Sequence, residues 1–341
     1  MKTKILALAA IALFAIVSIS CSTSDSEPVS EVVPPVTVGN TGDLRLFVID
    51  TAKVNTITMT GTNETTILNR KVNSNSYIGS FSLNNDASKF VYVDNQGGMV
   101  NGLYVQSKSV RVANANGSGD MAIYTAPANT NTVSNDIGFV KYGSSKIYFT
   151  TTTQTTVGGA IGTIVKLNST NFDGTGLLSE NYNAAPLSVY KADLTSDGKY
   201  LVTMRVAPNI PRIEIMDRTG DNGGGTVIGQ EDLTADKERG SAPIFSYNNK
   251  FVYYAYAESQ SLKVRIFDMT TKTWESKTIA TNFTPTSFFM TISVASDNNR
   301  GVVVVDSYSN TPTKSYVFNL AGSSFTTFNN NDKTIAYIKA F

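Results

Sequence analysis

An all-β chain built from a repeated unit of about 50 residues is what this sequence predicts, and three observations carry the prediction. A polar turn ending in a basic residue and followed by an apolar strand recurs five times. The basic residues, Lys89, Lys146, Lys199, Lys250 and Arg300, are spaced 57, 53, 51 and 50 residues apart. From residue 43 onward, β-branched and aromatic runs alternate with Asn/Asp/Gly/Ser clusters, and no helical period is sustained beyond two turns. Four short strands with their turns fill such a period, so each unit reads as one blade of a β-propeller.

The elements follow in chain order. Lys2 and Lys4 precede an apolar stretch of 13 residues, Ile5 to Val17, and Ser18-Ile19-Ser20 leads straight to Cys21. That stretch is too short to span a bilayer, which takes roughly 20 residues. Residues 1–20 therefore read as a cleaved signal, with Cys21 first in the mature chain. The arrangement resembles the lipobox of bacterial lipoproteins, whose cysteine immediately after the cut carries the lipid, although Ser18 replaces the leucine usual three places earlier. The resemblance implies lipidation of Cys21 and a firm membrane anchor, because several acyl chains hold where one is marginal. An ordinary secretory peptide is the alternative.

Residues 22 to 40 contain three prolines and no period, a tether composition. The organisation expected is thus a signal (1–20), a tether (21–42) and a propeller (43–341). The Ser/Asp/Glu cluster directly after Cys21 resembles the surface-export signal of some Gram-negative outer-membrane lipoproteins. This implies the outer membrane, at the cell surface, with the periplasmic leaflet as the alternative.

The repeated turns are Asn84 to Lys89, Gly143 to Lys146, Thr195 to Lys199, Ser246 to Lys250 and Ser296 to Arg300, each followed by a run such as Phe90-Val91-Tyr92-Val93. They resemble the TolB-type, WD40-like propeller family, whose repeat reads Ser-Pro-Asp-Gly-Lys before an apolar strand; Thr195 to Lys199 follows it most fully, without the proline. The blade around it starts with Leu187 to Tyr190. Arg212 to Met216, Lys263 to Phe267, Ser315 to Phe318 and Leu44 to Ile49 alternate polar and apolar residues, as half-buried third strands do. Five copies leave both ends over: residues 44 to 70 supply three strands and Lys333 to Lys339 a fourth. Pairing the terminal strands makes a sixth blade and removes the open sheet edges. A seventh blade within 101 to 135, a β-helix and a two-sheet sandwich are the alternatives.

Composition narrows the chemistry. The 341 residues include no histidine and one cysteine, with 28 Lys+Arg against 27 Asp+Glu. Without imidazole there is no Ser-His-Asp or Cys-His nucleophile and no histidine general base. One cysteine permits neither an internal disulfide nor a cysteine metal cluster. Removing Lys2 and Lys4 leaves 26 basic groups, so the mature chain is near neutral and no nucleic-acid partner is expected. Asp217, Asp221 and Asp232 lack the spacing of a calcium loop, and the glycines at 223 to 225 precede no phosphate-loop Lys-Ser/Thr. No cofactor and no metal is expected.

Binding residues are expected on the propeller face formed by the loops before each first strand and between each second and third strand. These loops hold Asp94, Met99, Asp136, Gln154, Arg205, Arg239, Glu258, Tyr308 and Asn310. The function expected is non-catalytic capture of a ligand or an outer-membrane partner protein, in support of nutrient uptake. The alternative is a carboxylate-dependent glycan hydrolase or lyase, for which Asp136 and Glu258 are the candidate pair. The sialidase pattern Ser-x-Asp-x-Gly-x-Thr-Trp is absent, and the single Trp274 lies outside any such context.

Overall fold

In the computed structural model the described residues are 45–58, 63–100, 103–181, 191–205, 211–219, 225–283, 288–295, 300–307, 314–320 and 322–329. They form six antiparallel sheets arranged as a six-bladed β-propeller. Blade 1 is β1 (Arg45–Asp50), β2 (Lys53–Thr58) and β3 (Thr65–Asn69). Blade 2 is β4 (Tyr77–Leu83), β5 (Lys89–Val100), β6 (Leu103–Asn114) and β7 (Met121–Thr125). Blade 3 is β8 (Val133–Tyr142), β9 (Ile147–Val157), β10 (Ala160–Thr170) and β11 (Leu178–Asn181). Blade 4 is β12 (Ala192–Leu194), β13 (Tyr200–Arg205), β14 (Arg212–Asp217) and β15 (Thr226–Asp232). A short helix, α1 (Ala235–Glu238), leads into blade 5: β16 (Ile244–Phe245), β17 (Phe251–Glu258), β18 (Ser261–Asp268) and β19 (Thr273–Thr281). Blade 6 is β20 (Phe288–Val294), β21 (Arg300–Ser307), β22 (Lys314–Asn319) and β23 (Gly322–Asn329).

The repeated turn is the hairpin between first and second strands, and its residue types follow from its hydrogen bonds. The last residue of the turn, or the one after it, returns its carbonyl to the residue that opens the hairpin. Asn84 N–H donates to Lys89 O (3.0 Å), Thr195 N–H to Tyr200 O (3.0 Å) and Ser246 N–H to Phe251 O (2.9 Å). Inside the turn an Asp or Asn accepts the N–H two residues on: Asp86 from Ser88 (2.9 Å), Asp197 from Lys199 (3.0 Å), Asn248 from Lys250 (3.0 Å). The residue after it takes the left-handed conformation, with φ 59° at Ala87, 73° at Gly198 and 58° at Asn249. Turn residues 296–299 lie outside the described residues, but Ala295 N–H donates to Arg300 O at 2.7 Å, the same closure.

Six apolar seams join the six blades in a ring. Phe47 and Val54 of blade 1 pack with Phe81 and Phe90 of blade 2. Val91 and Val110 pack with Ile147 and Phe149 of blade 3, and Leu167 with Leu201 and Met216 of blade 4. Ile213 and Ile215 meet Tyr254 and Phe267 of blade 5, and Val264 meets Ile292 and Val303 of blade 6. The ring closes where Leu46, Val48 and Ile57 of blade 1 pack against Val302 and Val304 of β21. Side chains thus join the last blade to the first; the expected terminal strand, residues 333–339, lies outside the described residues.

The six blades are those expected, and 101–135 holds no seventh among the described residues: β6 and β7 of blade 2 lie there, followed by the start of β8. Other expectations are corrected. The strand read at Leu44–Ile49 as a third strand is β1, at one end of the described sheet β1-β2-β3, where Phe47 packs toward blade 2 while Leu46 and Val48 face β21. It is buried on both faces for that reason. On β14 the polar-apolar alternation does not mean half-burial, since Glu214 is only 5% exposed. The first strand of blade 4 is observed at Ala192–Leu194, and Leu187–Tyr190 lie outside the described residues.

Candidate functional site

The first strands β4, β8, β12, β16 and β20 surround a central cavity of about 530 Å³. Each begins on the face that carries the hairpins between second and third strands, because its turn into the second strand lies on the opposite face. Tyr77, Asp136 and Phe289 therefore stand at the mouth on the hairpin face, and Asn85, Ser196 and Asn249 at the other end. The mouth is aromatic and open: Tyr77 is 40% and Phe289 51% exposed. The β5–β6 and β9–β10 hairpins rise highest there, with strands of 12 and 11 residues. The latter turns through Gly158 and Gly159, both at positive φ (58° and 84°), as a two-residue hairpin connection requires.

The wall is stitched blade to blade. A first strand has a second-strand partner on one edge only, so its inner edge presents N–H groups that need acceptors. Ser80 Oγ accepts the Val140 N–H and Ser82 Oγ the Tyr142 N–H, both at 3.1 Å. Lys141 Nζ on β8 donates to both carboxylate oxygens of Asp193 on β12, at 3.0 and 3.1 Å. Asp193 in turn accepts the Phe245 N–H of β16 at 2.8 Å. β4 and β8 are bulged at matching places, between Ile78 and Phe81 and between Ile137 and Val140, where Gly79 and Gly138 line the cavity. Desolvation, then the nearby Asp193 carboxylate, push the Tyr247 phenol in this wall upward.

The expected binding residues distribute as follows. Asp136 lines the cavity and is paired with Lys108 Nζ. Asp94, its side chain 2% exposed, is buried instead in a network with Arg70 (2.7 Å) and Gln96 (2.6 Å). Gln154 is exposed on β9, away from the cavity wall, and Arg239 is exposed just after α1. Glu258 ends β17, where the Lys263 ammonium donates at 2.8 Å and holds the carboxyl below its usual range. Arg205 ends β13; Tyr308 and Asn310 lie outside the described residues. Met99 lies on β5, opposite Tyr104. Cys21 also lies outside them. The structure thus brings Asp136 to the channel wall and leaves Glu258 off it. Among the described residues no group of three His, Cys, Asp or Glu is placed to hold a metal.

Lys141, Asp193, Tyr77 and Phe289 lie on first strands, outside the loops that hold the expected residues. A signal for part of the wall was present: Ile78-Gly79 and Ile137-Gly138 repeat 59 residues apart, close to the interval of 57 between Lys89 and Lys146.

No protein-family model matches this chain, and no curated protein does. Among solved structures, TolB from Acinetobacter baumannii is similar with a TM-score of 0.57 at 14% identity, covering 88% of this chain and 68% of that one. A nidogen/laminin complex is similar at 0.53 and 11% identity, covering 87% and 97%. A structure from Agrobacterium tumefaciens assigned to TolB is similar at 0.51 and 10%, covering 88% and 99%. At such identities the likeness speaks to the fold alone: this chain is a six-bladed β-propeller with TolB-like architecture.

Proposed function

We propose that the protein is a lipid-anchored binding protein of the outer membrane, displayed at the cell surface, whose propeller captures a ligand or partner at the hairpin-face mouth without catalysing a reaction. Accessory service to a nutrient transporter in the same membrane fits this reading. The observation that supports it best is the state of the channel carboxylates. Asp193 is held by Lys141 and the Phe245 N–H, and Asp136 is paired with Lys108, so both serve the wall. A retaining or inverting glycoside hydrolase uses two carboxyl groups facing one substrate. The pair named for that role, Asp136 and Glu258, is engaged by two different lysines.

Full-length protein immobilised in detergent and incubated with an outer-membrane extract should retain a ligand or partner identifiable by mass spectrometry. The Tyr77→Ala, Phe289→Ala double variant should lose it. Equal retention by both proteins would remove the mouth from the proposal. Turnover of glycan fragments that is abolished by Asp136→Asn would favour the enzyme.

A further inference from the structure

Resting on that reading of the channel, we infer that the ligand it takes is an uncharged, predominantly apolar small molecule that enters past Phe289 and Tyr77. The cavity of about 530 Å³ lies within the range that encloses such molecules. Its surface is mostly carbon, and the bulge glycines Gly79 and Gly138 are part of its lining.

Charge decides the class. The lining holds two lysines and two aspartates, Lys141, Lys191, Asp136 and Asp193. Lys141 and Asp193 neutralise each other, Asp136 is matched by Lys108, and Lys191 Nζ lies 3.5 Å from the Met204 thioether sulfur. A cation would lose hydration on entry and find both lining carboxylates already engaged, and an anion would meet Lys141 already held by Asp193, a large penalty away from water. Hydrogen-bond recognition is limited too, because the Val140, Tyr142 and Phe245 amides are taken by Ser80, Ser82 and Asp193. What the wall offers is apolar contact, with two half-exposed aromatic rings at its entrance.

The test uses the mature chain from residue 21 carrying Cys21→Ala, which needs no detergent to compete for the probe. Three pyrene probes of nearly equal size serve: pyrenemethanol, pyrenesulfonate and pyrenemethylammonium. Pyrenemethanol should bind with a Kd about tenfold or more below that of either ion, and Phe289→Ala should weaken it about fivefold, with Phe289→Tyr restoring most of the affinity. Tighter binding of either ion, still sensitive to Phe289→Ala, would overturn the ligand class and leave the mouth as the binding site. Binding of none of the three, or binding indifferent to Phe289→Ala, would overturn the inference and count against the mouth as well.

Discussion

Lys141 and Asp193 lie 52 residues apart in sequence and meet on the channel wall, the ammonium 3.0 and 3.1 Å from the two carboxylate oxygens. The same carboxylate accepts the Phe245 N–H, so one side chain ties the first strands of three consecutive blades. Asp193→Ala should destabilise the ring by about 2–4 kcal/mol, since it leaves a partly buried ammonium and a backbone amide without their acceptor. Asp193→Asn keeps one acceptor and should lose less. Thermal unfolding of the two variants beside the parent measures this, and indistinguishable midpoints would remove the tie from the account of stability.

The Tyr92 hydroxyl donates to Asp120 at 2.7 Å, and Asp120 is also held by Arg111 at 2.9 Å. Burial, then the Asp120 carboxylate, raise the phenol well above its usual value. A group raised in the folded state gives its full stability below the unfolded value, about 10 for tyrosine, and loses it as pH rises from there toward the folded value. Stability should therefore fall on the alkaline side, with less slope in Tyr92→Phe. At neutral pH that variant should lose only about 1 kcal/mol, because Asp120 keeps Arg111 and also Arg70, at 3.4 Å. Denaturant midpoints across the alkaline range, with tyrosinate absorbance followed in parallel, would reveal a parent and variant of equal slope if the idea is wrong.

Gly198 sits in its turn at φ 73°, and a Cβ there would press on the ring of Tyr148. Gly198→Ala should lose about 1–3 kcal/mol through left-handed strain and displacement of that ring. Asn249 holds the matching place in blade 5 at φ 58°, so Asn249→Gly should change stability by no more than about 1 kcal/mol. Urea midpoints compare the two, and an alanine tolerated at 198 would argue that Tyr148 gives way freely.

For the anchor, Cys21→Ala expressed in a Gram-negative host should move the protein from the membrane fraction to the soluble one. Retention in the membrane fraction would show that something other than a lipid on this residue holds it there.

The repeat was legible because its chemistry is local. An Asp or Asn that accepts an N–H two residues away, followed by a left-handed position, is written within six residues, and so are the strands on either side. The Ile-Gly bulges were equally available at 78–79 and 137–138. Of the expected loop residues, Asp136 reaches the channel, whereas Asp94 is buried against Arg70 and Glu258 is engaged by Lys263, pairings that a loop position by itself does not encode. Polar-apolar alternation at β1 does not mean half-burial, because a strand packed between two blades is covered on both faces whatever its polar pattern.

The sequence by itself determined the β class, the blade length and the turn between the first and second strands of five blades, since hydrogen bonds between near neighbours and the apolar runs beside them specify all three. Only the tertiary structure decided which charges share the channel. Lys141, Asp193 and the Phe245 amide belong to three different blades, and the packing of six apolar seams brings their edges together. The same packing leaves Phe289 and Tyr77 uncovered at the mouth, because the inner edge of the ring has no further blade to cover it.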